Sequence, residues 1–136
     1  MTNPSFEPRS FSRWPALFGS FETRWIDVPA DDTVSLDRLG AAKIQHRAAL
    51  RIRRAIAASP HRSIEKYALS IGVDPTRLGR ILRGTVVMRI EDMVNAERNL
   101  RVNVWPGVPD GDDQPALDTP QARDTALIVA GSSRNA

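Results

Sequence analysis

From Leu36 to Leu100 the apolar residues return every three or four positions, which is the interval of a helix rather than the alternation of a strand. The first run sets Ile44, Ala48, Ile52 and Ile56 four apart on a helix spanning Leu36 to Ala58, with Lys43, Arg47, Arg51 and Arg54 on another face. Ser59-Pro60 ends it, because the residue before proline is pushed out of the α region. Gly40 weakens the first turn. Ser63 is placed to cap a second helix by accepting from an unpaired backbone N–H; that helix runs to about Ser70 and turns Ile64, Tyr67, Ala68 and Ile71 inward. Gly72 suits the turn that follows. Asp74-Pro75 combines a capping side chain with proline at the first helical position, so a third helix is predicted over Pro75–Arg83. It buries Leu78, Ile81 and Leu82 and closes at Gly84. A fourth helix covers about Ile90–Leu100, with Ile90, Met93, Val94 and Leu100 at helical spacing. The expected fold class is all-α.

The two ends read differently. Six of the eight aromatic residues lie in the first 25 positions, and Phe11, Trp14, Phe18, Phe21 and Trp25 follow one another at intervals of 3, 4, 3 and 4. That spacing predicts one aromatic helix face, with Pro15 suited to its first turn and Gly19 weakening it. Such a stripe either packs on its own domain as an extra layer or serves as a dimerisation arm or partner anchor. From Trp105-Pro106-Gly107 onward the chain is rich in Pro, Gly, Asp, Ser and Gln, and Ala126–Ala130 is its one short apolar run. Too little can be buried there to offset the ordering entropy, so a flexible tail is expected. The organisation is therefore an aromatic-rich extension at 1–35, a helical domain at 36–105 and an acidic tail at 106–136.

Charge sharpens this division. The net charge of the 136-residue chain is only +3, but residues 38–105 hold 14 Arg and Lys against five acids, leaving +9. The flanks, 1–37 and 106–136, each carry −3. A basic centre between acidic ends is what a domain binding a polyanion needs. There is no Cys, and the two His, His46 and His61, lie on or beside basic segments with no acid placed to orient them. They are expected at the surface, and no metal, cofactor or enzymatic activity is expected. With no run of about 18 apolar residues and no signal-like N-terminus, the expected place is the cytoplasm.

Ser63, Ala68, Gly72 and Val73, followed without a gap by Leu78, Ile81 and Gly84, resemble the lambda-repressor/Cro/Xre family of helix-turn-helix proteins. Ile90, Met93, Val94, Ala96, Leu100 and Val102 match the core positions of that family's next helix. The match covers about 55–60 residues, counted on the family's core register. It implies a core of four to five helices, with the third as the recognition helix in the major groove of double-stranded DNA. Two departures stand out. Ile64 occupies a position that in the family often carries Gln, and Pro75 removes a side chain that commonly reads a base.

A recognition helix meets base edges mainly through its N-terminal half. With Leu78, Ile81 and Leu82 inward, Thr76, Arg77 and Arg80 are the candidates for base contact, since Arg can donate two parallel bonds to guanine. Ser63, Lys66, Arg83 and Thr85 are suited to phosphates, and Lys43, Arg47, Arg51 and Arg54 extend the basic surface unless they are an ordinary solvated face. Arg89, Arg98 and Arg101 are read as surface residues. The implied function is sequence-specific DNA binding in transcription regulation, as a repressor, with a homodimer matching a palindromic site. The alternatives are an antitoxin or co-regulator whose aromatic N-terminus grips a second protein, and a helix-turn-helix module that binds protein and not DNA.

Overall fold

The computed structural model describes residues 6–105, and these are all-α: four helices, with no strand beyond one antiparallel bridge between Ser12 and Trp25. The tail at 106–136, with its run Ala126–Ala130, lies outside the described residues, as do residues 1–5.

Helix α1 spans Thr33–Ala58, beginning three residues ahead of the expected Leu36. The polar break is itself the start signal, because the Asp32 carboxylate accepts from the Ser35 N–H at 3.1 Å. Helices α2 (Ile64–Ser70), α3 (Pro75–Arg83) and α4 (Ile90–Leu100) fall where the periodicity and the caps put them. One core joins all four: Ala48, Ile52 and Ile56 of α1, Tyr67 of α2, Ile81 and Leu82 of α3, and Met93 and Ala96 of α4. Met88 and Val104 close it from the connecting segments, and Ile44, Ile64, Ile71, Leu78, Leu100 and Val102 pack along its edge. Two positions expected in this core are outside it. Ile90 is 70% exposed and Val94 55%. On α4 the inward stripe passes through Met93, Ala96 and Leu100, so residues 90 and 94 turn away; spacing alone allowed either stripe.

A polar side chain sits inside this core. Gln45 is 3% exposed. Its Nε2 donates to the carbonyls of Ile81 and Val86, both at 2.9 Å, and its Oε1 accepts from the Met88 N–H at 2.8 Å. One carboxamide of α1 thus holds the end of α3 and the connection from α3 to α4, where the backbone has no ladder or helix of its own.

The N-terminal segment forms no aromatic helix. It makes two short 3-10 turns, Pro8–Phe11 and Pro15–Leu17, and doubles back so that the Arg13 N–H meets the Arg24 carbonyl at 2.8 Å and the Ile26 N–H meets the Phe11 carbonyl at 2.9 Å. The five aromatics therefore do not share a face. Phe18 is 1% exposed and meets Trp25 and His46 edge-on, Phe11 is half-buried against Phe6, and Trp14 and Phe21 are exposed. Gly19, at φ +74, breaks the helical path. A side chain there would also run into the Leu82 carbonyl at the end of α3. Gly84, at φ +79, caps α3; a Cβ on it would lie 2.6 Å from the Phe18 ring. The Arg9 N–H donates to the Gly84 carbonyl at 3.0 Å. The segment is an extra layer of the domain, laid over α1 and the C-terminal end of α3.

His46 is not at the surface as expected. It is 6% exposed, and its Nδ1 accepts from the Gly19 N–H at 2.9 Å. Burial first, and the charge of Arg47 second, push its pKa down to about 4.

Two outcomes are expected. Gln45→Ala strands the Met88 N–H and the Val86 carbonyl in the interior, leaves the Ile81 carbonyl with only its bond from the Gly84 N–H, and lowers unfolding stability in urea titrations by about 2–4 kcal/mol. His46 stays neutral in the fold while the unfolded chain takes up its proton near pH 6.5, so its contribution is complete above 6.5 and is lost as pH falls toward 4. His46→Asn keeps an acceptor for Gly19 without that titration. Across this window the wild type should lose about 3 kcal/mol more than the variant, since each tenfold change in proton affinity is worth roughly 1.4 kcal/mol.

Candidate nucleic-acid interface

The outward side of α3 is the centre of the candidate interface, and its caps define it. The Asp74 carboxylate accepts from the Thr76 N–H at 3.0 Å, Pro75 occupies the first turn, and Gly84 ends the helix in the left-handed region. Thr85 tightens that end by donating both its N–H and its hydroxyl to the Arg80 carbonyl. With Ile81 and Leu82 fully buried, Thr76, Arg80 and Arg83 at i, i+4 and i+7 form one exposed stripe along the helix.

Arg77 stands apart from this stripe. Its Nη1 and Nη2 donate to Oδ1 and Oδ2 of Asp92, at 2.9 and 3.0 Å. Asp92 Oδ2 also accepts from the Arg89 N–H at 2.8 Å, which starts α4. Burial tends to raise the Asp92 pKa, but the bonds from Arg77 and Arg89 outweigh it and hold the carboxyl below its ordinary value. The pair is a two-pronged clamp between α3 and α4. The guanidinium expected to reach for a base is engaged in fixing the helix that carries its neighbours.

Around the stripe, Ser63 Oγ accepts from the Lys66 N–H at 3.1 Å as the cap of α2, and Lys66 is exposed. The turn from α2 to α3 is held by the Val73 N–H on the Ala68 carbonyl at 2.9 Å, with Gly72 at φ +76. Ile64, in the position that often carries Gln in the family the sequence resembles, packs against the core. Of the α1 stripe, Arg54 is exposed while Lys43, Arg47 and Arg51 are half-buried. Arg51 donates to the Trp105 carbonyl at 3.2 Å and so ties the end of the domain to α1. That stripe is in part a structural seam.

Arg53, on α1, was not among the expected residues. Its Nε is buried without a partner, and burial first and the charge of Arg83 second lower its pKa. A partly buried guanidinium that also feels the positive charge of Arg83 is a setting that an anion relieves. Nothing in the periodicity could reveal this pairing, since the two residues are 30 positions apart.

Among the described residues no cluster of three His, Cys, Asp or Glu could hold a metal ion, and no helix is long and apolar enough to cross a membrane. Comparison with protein-family models, curated proteins and solved structures finds no match for this chain.

The clamp has a measurable signature. Arg77→Ala and Asp92→Ala should each lower thermal and urea stability. A double-mutant cycle should return a coupling of about 1–2 kcal/mol, above that of an ordinary surface pair.

Proposed function

We propose that this chain is a sequence-specific double-stranded DNA-binding transcriptional regulator acting as a repressor, with α2 and α3 as its helix-turn-helix and α3 in the major groove. The observation that carries this reading is the stripe Thr76, Arg80 and Arg83: polar, exposed, and borne by a capped helix whose other side is locked in the core. The +9 charge of residues 38–105 supports it by supplying attraction to a polyanion.

In this reading Arg80 reads a base, in bidentate contact with a guanine, and Thr76 near the start of α3 meets a thymine methyl or a phosphate. Lys66, Arg83 and Thr85 hold phosphates, together with Ser63 beside the start of α2. Arg53 joins Arg83 on one phosphate, which offsets their mutual repulsion. Arg77 is a positioning residue that sets the angle of α3 through Asp92. With Arg77 engaged and Pro75 bare, direct base readout rests on few side chains, so DNA shape supplies part of the specificity. A second reading, in which the N-terminal segment also holds a partner protein, is favoured by the exposure of Trp14 and Phe21.

The test is selection of bound duplexes from a random DNA pool, followed by anisotropy titrations on the recovered motif at several salt concentrations. Arg80→Ala should cost about 1–3 kcal/mol and relax preference at one position. Arg83→Ala and Lys66→Ala should weaken all sequences alike and flatten the salt slope by about one contact each. Absence of any enriched motif, or binding that tracks salt alone, would overturn the proposal and direct attention to Trp14, Phe21 and a protein partner.

A further inference from the structure

The outer face of α4 is unusual for a solvated helix. Ile90 and Val94 are 70% and 55% exposed, and Val87, just ahead of the helix, is 45% exposed. Glu97, by contrast, turns in, its carboxylate accepting the Val104 and Trp105 N–H groups at 2.9 and 3.0 Å. At the helical 100° per residue, Ile90, Val94, Arg98 and Glu91 fall in that order within an arc of about 100°. Val94 stands near its middle, Arg98 and Glu91 share one edge, and all four residues are exposed.

We propose that this face is an isologous interface between two copies of the chain, packed with their α4 helices antiparallel about a two-fold axis at Val94. The sequence of the face is self-complementary in that arrangement. A two-fold axis across the helices keeps each edge on its own side and reverses the helix direction. Val94 then meets Val94 of the second copy, and the two Ile90 side chains flank that contact on the edge away from the charges. Glu91 is three residues before the axis and Arg98 four after it, or about 4.5 and 6 Å at 1.5 Å per residue. Each Glu91 therefore faces Arg98 of the other copy, and the ion pair forms twice. A parallel two-fold pairing would send the two charged edges to opposite sides, where neither Glu91 meets an Arg98, so charge selects the antiparallel one. An apolar centre flanked by opposite charges is also the general anatomy of a protein interface. The proposal concerns self-association and holds whether or not the chain binds DNA.

The full chain, free of DNA, is studied by sedimentation equilibrium and light scattering across a concentration series, with circular dichroism confirming that each variant folds. The wild type should be a dimer. Val94→Glu places two like charges at the axis and should weaken association more than about tenfold. Glu91→Arg and Arg98→Glu should each weaken it several-fold, and the two together in one chain should restore it, because the pairs re-form with their signs exchanged. A wild type that stays monomeric throughout would overturn the proposal and leave the face to a different protein. A dimer indifferent to Val94→Glu, or a charge exchange that restores nothing, would overturn it equally and place the contact elsewhere.

Discussion

The carboxamide of Gln45 is the point at which α1, the end of α3 and the connection to α4 meet. Its two donated bonds and one accepted bond satisfy the Val86 carbonyl and the Met88 N–H, which lie in an irregular connection, and add to the Gly84 N–H bond on the Ile81 carbonyl. Because the α3–α4 connection is pinned here, α4 starts at a defined place. Because the Ile81 carbonyl is pinned here, the last turn of α3 is fixed to α1. An apolar residue at position 45 would fill space but leave the Val86 carbonyl and the Met88 N–H without partners, so the polar side chain in the core is what gives the helices one relative placement.

A second layer of constraint comes from the N-terminal segment. Its backbone touches the end of α3 through Arg9 on Gly84, and its Phe18 ring covers Gly84 at a distance that excludes a side chain there. His46 receives the Gly19 N–H and is edge-on to Phe18 and Trp25. The neutral imidazole is therefore part of the packing that holds the segment down. The helix proposed to read DNA is thus fixed at its C-terminal end by α1 and the extension, and near its N-terminal end by the Arg77–Asp92 clamp. A helix held in this way presents Thr76, Arg80 and Arg83 with little freedom of orientation, which is what recognition by a few side chains requires.

The arginines of the domain divide by environment rather than by position in the pattern. Arg77, Arg80 and Arg83 lie within seven residues on one short helix. Arg77 lies at the edge facing α4, where Asp92 takes both its prongs, while Arg80 and Arg83 look outward. The charge of Arg83 acts on the half-buried Arg53, and Arg51 is bonded to the Trp105 carbonyl. Counting positive charge along the chain does not tell which arginines are engaged in structure and which face outward.

Local physical chemistry decided the helices. Ser63, Asp74-Pro75, Gly84 and Ser59-Pro60 act within a few residues of themselves, so α2, α3 and α4 and the end of α1 could be read directly from the chain. The exposed stripe on α3 followed from the same periodicity. What the sequence could not decide was anything set by contact between distant residues. The polar core position Gln45, the buried His46, the clamp between residues 77 and 92, and the outward turn of Ile90 and Val94 are all of this kind. The aromatic spacing at the N-terminus misled for the same reason: helical spacing marks a possible face, but Pro8, Pro15, Gly19 and the surface offered by α1 and α3 determined that the segment would fold back as a loop. Periodicity states which residues can share a face, and only the packing of the whole chain states which face is covered.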